Sequence, residues 1–365
     1  MSILGAGRTA REGENGTVST ESLWIAKSRI LGNIRHMNNH SMTRRGFLAT
    51  STALAAGFQF GFGARTAVGQ AVESGFKTRL QKSLIINKPA ADDFKRLKDA
   101  GFEGVEAGVL ELPDAEKCRQ LADAAGMKIH SVIRGWAEFN SPDAGKYAAS
   151  YATTEAALRA GQVFGAQAVL LVPCRIGGMP MPRPWEFMID FEADTGHVTK
   201  VVNGDNAPYA DYIKAHNHAV DTSREAVQRL IPLAEKTGVV IALENVWNNL
   251  WVKPAYFRQF VASFKSPWIK AYFDIGNHVK YAPPEEWILT LGDLIVKLHV
   301  KDFKLDAADP KGEGKFVNIR DGSIRWPVVR SAIDKIGYHG WLTIEGGDLS
   351  MDEHSRRLDL IIAGK

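Results

Sequence analysis

Cysteine is scarce: Cys118 and Cys174 are the only two in 365 residues, and their spacing fits no metal or redox motif. A disulfide scaffold is thereby excluded, and both thiols are expected to be packed and chemically idle. A charge excess of one sign is also lacking. The formal net charge is +4, from 45 basic and 41 acidic residues. Residues 1–71 hold eight of the basic and three of the acidic residues, leaving 37 and 38 of the 45 and 41 for the remainder. A near-neutral body lacks the basic face that a nucleic-acid binder needs, so no nucleic-acid partner is expected. Long hydrophobic runs are missing too. The most apolar stretch, ending near Ala64, is short and glycine-rich, which favours a cleaved leader over a membrane span. No glycine-rich phosphate loop follows an early strand, which argues against a doubly wound dinucleotide-binding sheet.

What is present begins with that leader. "MTRRGFLATSTALAA" (42–56) places Arg44 and Arg45 before an apolar run, and small residues end it near Ala71. This is the layout of a signal peptide, and "TRRGFL" resembles the twin-arginine export signal. The expected division is an N-terminal extension and signal over 1–71, with Met42 as the true start, and one domain over 72–365. Export to the periplasm or the outside follows, with no stable membrane insertion once the signal is cleaved; an uncleaved anchor is the alternative. The sequence does not decide whether the protein is a homo-oligomer.

From residue 80 onward, short β-branched runs alternate with helical patterns. The expected strands are 82–87, 104–108, 128–133, 168–173, 239–244, 269–274, 295–300 and 341–345. Segments such as "AADDFKRLKDA" and "SREAVQRLIPLAEKTG" lie between them, and Gly101, Gly126, Gly238 and Gly337 stand where helices should end. Eight strand–helix units in one domain predict an α/β fold, a (β/α)8 TIM barrel. Residues 185–205, "WEFMIDFEADTGHVTKVVNGD", read as a β-hairpin inserted after the fourth strand, expected to wall or cover the barrel mouth. "KGEGKF" (311–316) reads as a flexible loop over the mouth.

In such a barrel the C-terminal strand ends face the active site. The fifth strand ends in Glu244, the sixth in Asp274 and the eighth in Glu345, and His299 lies near the end of the seventh. Three carboxylates in one partly dry mouth repel one another unless a cation is shared. Three oxygen donors and one nitrogen suit Mn²⁺ first, with Co²⁺, Mg²⁺ or Fe²⁺ as substitutes.

The segments "IALENVWNN", "YFDIGNH", "KLHVKDF" and "WLTIEGG" resemble the sugar phosphate isomerase/epimerase family of xylose isomerase-like TIM barrels, over about residues 80–360. This family includes ketose 3-epimerases, inosose dehydratases and hydroxypyruvate isomerases. The resemblance implies that Glu244, Asp274, His299 and Glu345 bind the metal and that Glu244 and Glu345 move protons at a carbon next to a metal-bound carbonyl. Two positions depart from the ketose 3-epimerase pattern. Asn277 stands where those enzymes carry His, and Leu305 where they carry Arg.

The expected substrate is an unphosphorylated small-molecule sugar or keto-sugar, held by Lys301, Trp247, Trp136, Glu106, Arg175 and His278. Trp247 and Trp136 offer ring faces for sugar stacking. Isomerisation or epimerisation is the first reading. A lyase acting on 3-keto-glycosides by β-elimination is its close alternative, and a non-catalytic sugar-binding barrel is the second. An abasic-site nuclease would need more histidines and a basic groove, and neither is visible.

Overall fold

Strand residues alternate between two faces, so each expected strand sends every second side chain toward the barrel axis. A computed structural model describes residues 75–306, 308–309 and 313–365 and bears this out. The leader, the Met42 start and the cleavage site lie outside these residues, as do Lys311 and Gly312 of the glycine-rich segment.

The barrel strands are β1 (Leu80–Ile85), β2 (Gly104–Gly108), β3 (Lys128–Trp136), β4 (Ala168–Val172), β7 (Val240–Glu244), β8 (Ile269–Asp274), β9 (Ile295–Val300) and β12 (Gly340–Ile344). They close in the order β1-β12-β9-β8-β7-β4-β3-β2, every pairing parallel. Eight helices alternate with them: α1 (Ala91–Asp99), α2 (Leu112–Ala125), α3 (Ala144–Phe164), α4 (Ala210–Thr237), α5 (Pro254–Ser263), α6 (Pro284–Leu291), α7 (Trp326–Lys335) and α8 (Met351–Ile362). The expected (β/α)8 barrel is therefore observed. None of the described helices is long and apolar enough to cross a membrane.

Local chemistry sets the helix ends. Asp143 caps α3 by accepting from the Gly145 and Lys146 amides, and Ser350 caps α8 through the Glu353 amide. Gly126 and Gly238 close α2 and α4 with φ near 70°, the left-handed conformation that a glycine takes without strain.

Burial follows the alternation. In β8, Ile269, Ala271 and Phe273 belong to the main core between strands and helices, and Tyr272 packs inside the barrel with Ala168, Leu170, Val172 and Ala242. A buried side chain of this size stabilises the fold by about 1.5–3 kcal/mol. Strand register then brings the polar strand ends together: Asp274 pairs with His299, and His299 with Thr343, two residues before Glu345.

Two short sheets lie outside the barrel. The expected hairpin is β5 (Asp190–Phe191) with β6 (Val198–Lys200), antiparallel across the predicted turn. It braces against helices: Asn217 of α4 bonds both the amide and the carbonyl of Val198, and Tyr256 of α5 donates to the Gly196 carbonyl. Among the described residues no hydrogen bond or ion pair joins the hairpin strands to the strand-end cluster. The second sheet pairs β10 (Asp302–Leu305) with β11 (Gly314–Val317). The expected loop over 311–316 is therefore in part a strand, because its partner "DFKL" follows β9 directly and supplies a free edge. Asp302 pins this ribbon by accepting from the Phe303 and Arg320 amides and from the Trp326 indole.

Candidate metal centre and active site

Glu244, Asp274 and His299 lie on β7, β8 and β9 and Glu345 directly follows β12, four strands adjacent in the barrel. One ligand atom from each lies within 4.8 Å of all the others. Glu244, Asp274 and His299 are buried, and Glu345 is half-buried.

Hydrogen bonding leaves one atom each of Asp274, His299 and Glu345 unused. Asp274 accepts the Gly276 and Asn277 amides on Oδ1, at 2.8 and 2.6 Å. Its Oδ2 has no hydrogen-bond partner, and neither do His299 Nδ1 and Glu345 Oε2. His299 Nδ1 lies 2.6 Å from Glu345 Oε2, 3.5 Å from Glu244 Oε1 and 4.0 Å from Asp274 Oδ2. Without a cation these charges are met by a proton between His299 Nδ1 and Glu345 Oε2 and by Lys301 beside Asp274 Oδ2. The four ligand atoms converge, the arrangement that one cation would satisfy. The residues fit a divalent metal.

The tautomer of His299 agrees. Its Nε2 lies 2.5 Å from Glu106 Oε2, while the Ser131 hydroxyl donates to Glu106 Oε1 at 2.8 Å. A carboxylate only accepts, so Nε2 carries a hydrogen, and loss of the second ring proton from Nδ1 would expose there the lone pair a metal needs. Glu106 is completely buried. This corrects its expected place among the substrate contacts: it stands behind the imidazole and orients it.

Lys301 is the cation already at the site. Its Nζ lies 2.8 Å from Glu345 Oε1 and 3.3 Å from Asp274 Oδ2, and donates to Asn277 Oδ1 at 3.2 Å. Gly276 makes this approach feasible, since a Cβ there would meet Lys301 Cγ at 2.5 Å. Asn277, in the position where the resembled epimerases carry His, also points its amide nitrogen at Glu244 Oε1, at 3.4 Å. Asn245 holds the loop by exchanging hydrogen bonds with the Asp274 backbone, at 2.9 and 2.7 Å.

The electrostatics are those of charges forced together. Burial raises Asp274 to about 7, with Lys301 pulling the other way. Burial likewise raises Glu244. Burial would also raise Glu345, but His299 and Lys301 outweigh it and hold that carboxyl well below the ordinary range. His299 sits well above its usual value because Tyr272, Glu106 and Glu345 overcome burial.

The remaining candidates separate into groups. Trp247 is half-buried, donates its indole hydrogen to the Asn277 carbonyl, and packs under Lys280 Nζ, 3.6 Å from the ring centre, and against Phe316. Trp136 and Arg175 meet at the rim, with the guanidinium 5.8 Å above an indole that is 46% exposed. Among the described residues no hydrogen bond, ion pair or ring contact joins that pair to the four ligands. His278 is a correction: it is buried, bonds the Val246 carbonyl at 3.0 Å, and lies against Trp287 and Tyr281. Burial lowers it to about 3, so it is a neutral core histidine and not a substrate contact.

A cavity of about 610 Å³ opens beside the cluster, with Lys301 and Glu345 in its wall and the β10–β11 ribbon along one side. A larger one of about 900 Å³ lies at the opposite end of the barrel, around Lys297 and Gln167, and touches none of the four residues. The ribbon, Glu106's role and Asn245 escaped sequence reasoning. The ribbon had a signal, the alternating "DFKL" and "GKFV" around a turn. The other two had none, because their partners are distant in the chain.

The profile of the family described as xylose isomerase-like TIM barrel matches residues 94–359. The chain belongs to that family. Among solved structures it is similar to a 3-keto-D-glucoside 4-epimerase from E. coli, at 13% identity and TM-score 0.57, over 78% of this chain and 99% of that one. It is similar also to a D-tagatose 3-epimerase-like protein, at 16% identity and TM-score 0.58, over 77% and 98%. A D-psicose 3-epimerase crystallised in the presence of D-fructose gives 15% identity and TM-score 0.56, over 78% and 100%. At such identities the likeness is one of fold. No curated protein sequence matches the chain.

Proposed function

We propose that this member of the xylose isomerase-like family is a divalent-metal-dependent sugar isomerase or epimerase that moves a proton at a carbon next to a carbonyl. The observation that carries the reading is the placement of two glutamates at opposite ends of one ligand arc. Glu244 and Glu345 flank Asp274 and His299 on four successive strands, with all four ligand atoms within 4.8 Å. Similarity to structures of a keto-glucoside epimerase and ketose 3-epimerases supports a sugar as substrate.

Manganese suits the three oxygens and one nitrogen best; cobalt, magnesium or iron are substitutes. When bound, the cation supplies Lewis-acid polarisation of a substrate carbonyl. The chain does the rest. Glu106 fixes the His299 ring. Glu244 and Glu345 approach a bound sugar from opposite sides, so one withdraws a proton and the other returns one to the other face. The Lys301 ammonium, held between Asp274 and Glu345, is placed to meet a substrate oxygen that gains negative charge. Trp247 offers an apolar wall and, at the rim, Trp136 with Arg175 offers a second.

A second reading is elimination from a 3-keto-glycoside, which begins with the same proton removal. Asn277 and Leu305 favour it, since the His and Arg of ketose 3-epimerases are missing there. A non-catalytic barrel is disfavoured by the intact ligand set. Export through the twin-arginine route stays part of the proposal and rests on the leader alone.

The test is incubation of manganese-loaded protein with free ketoses and 3-keto-glycosides in D₂O. Deuterium at the carbon beside the carbonyl supports epimerisation, and release of the aglycone supports elimination. A protein that takes up no divalent metal, or one that exchanges no sugar proton, would end the proposal.

A further inference from the structure

The ribbon beside the site carries a charge pattern that its own folding does not require. β10 and β11 pair antiparallel, with Lys304 directly opposite Lys315. Like charges directly opposite each other on a ribbon repel. Among the described residues neither lysine has an ion-pair partner, whereas Lys280 and Lys301 nearby are both paired. Both unpaired lysines line the cavity of about 610 Å³ that Lys301 and Glu345 also line.

The other charges of that wall do not answer them. Glu345 is engaged by Lys301 and Asp321 by Arg357, the latter at 2.7 Å. Asp348 alone is left against two ammonium groups. Asn318 spends its carbonyl oxygen on the Asp348 amide at 3.0 Å, leaving its amide nitrogen as a further donor in the wall. Lysines on a free edge also deter edge-to-edge pairing. That purpose requires neither a second lysine opposite the first nor a cavity between them and a ligand cluster.

We infer that this subsite receives the negatively charged end of the substrate, a carboxylate or phosphate carried on the sugar chain, between Lys304 and Lys315. The inference rests on the reading of the cluster as a sugar site. Lys304 lies three residues beyond Lys301, about 10 Å of extended chain. A six-carbon sugar held at the cluster by one end can meet flexible lysine side chains across that span. A clamp of two ammonium groups and an amide also favours a charged terminus over a hydroxyl. The carboxylate case keeps the expectation of an unphosphorylated sugar, and the phosphate case would revise it.

The experiment titrates D-fructose, D-fructuronate and D-fructose 6-phosphate calorimetrically into the manganese-loaded full chain. The same sugars are incubated with it in D₂O. At least one anionic sugar is expected to bind ten-fold or more tightly than D-fructose, and which one identifies the group. The Lys304→Gln/Lys315→Gln double variant is expected to cut that preference at least ten-fold, and Lys304→Arg/Lys315→Arg to keep it. Equal binding of all three sugars, no binding of any, or a preference the Gln variant leaves intact would overturn the subsite. Preference without deuterium uptake keeps the subsite and removes the proton-transfer reading; uptake without preference does the reverse.

Discussion

The two faces of the barrel strands invite comparison, because the same short segments build both. Facing the helices, β8 shows Ile269, Ala271 and Phe273, and β9 shows Leu298 and Val300, all in one apolar core. Facing the axis, the same strands show Tyr272 and Asp274, then Lys297 and His299, all buried. The outward set is bound by area and packing, in which each side chain contributes on its own. The inward set at the mouth is bound by charge, and removing one member leaves the others uncompensated. Buried ionic groups of this kind are poor stabilisers and are kept where they hold or move something. The contrast separates what holds the fold together from what the fold is for.

That separation can be broken or sharpened by substitution. The largest effect is expected from the inward glutamates. Glu345→Gln or Glu244→Gln should lower turnover by about 10²–10⁴-fold. Melting of the chelator-treated protein should stay the same or rise for Glu244→Gln, whose carboxylate burial disfavours, and fall for Glu345→Gln, which leaves His299 and Lys301 without their partner. Thermal melts alongside deuterium-exchange rates check both halves, and a strongly lowered Tm for Glu244→Gln would blur the contrast. Next comes the outward face. Phe273→Ala opens a cavity against Trp287 and should destabilise by about 3–5 kcal/mol in urea titration. Metal stoichiometry of the folded fraction should remain that of the wild type.

Glu106→Gln comes third. An amide in place of the carboxylate accepts more weakly from His299, so metal affinity should fall about 10–100-fold by competition with a chelating dye. Unchanged affinity would mean that Glu106 does not orient the ligand. The smallest effect is on pH dependence. Asp274, raised to about 7, favours the folded chelator-treated protein below the ordinary carboxylate range, and that contribution is lost as pH rises through about 7. Denaturation midpoints of chelator-treated protein should therefore fall from pH 6 to pH 8. Metal affinity should move the other way, since binding must displace the Asp274 proton.

Much of this was legible beforehand. The strand ends Glu244, Asp274, His299 and Glu345 were found because period-two alternation and the rule about C-terminal strand ends are both local. β2 fell where expected, as did β8 and β9. β3 ran on to Trp136 because a bulge between Ile133 and Gly135 lets it keep pairing with β4, which no local pattern announces. His278 and Glu106 were misassigned for one reason: their neighbours are far along the chain. His278 is enclosed by Trp287 and the Val246 carbonyl, and Glu106 meets His299 across 193 residues.

The sequence by itself determined the alternation, the eight units and the chemical types at the strand ends, because each depends on residues within a few positions of one another. Only the tertiary structure decided which lone pairs converge, which carboxylate stands behind the imidazole, and that Lys301 is held between Asp274 and Glu345. Those outcomes depend on closing the barrel in one register, and register is a property of strands meeting in space.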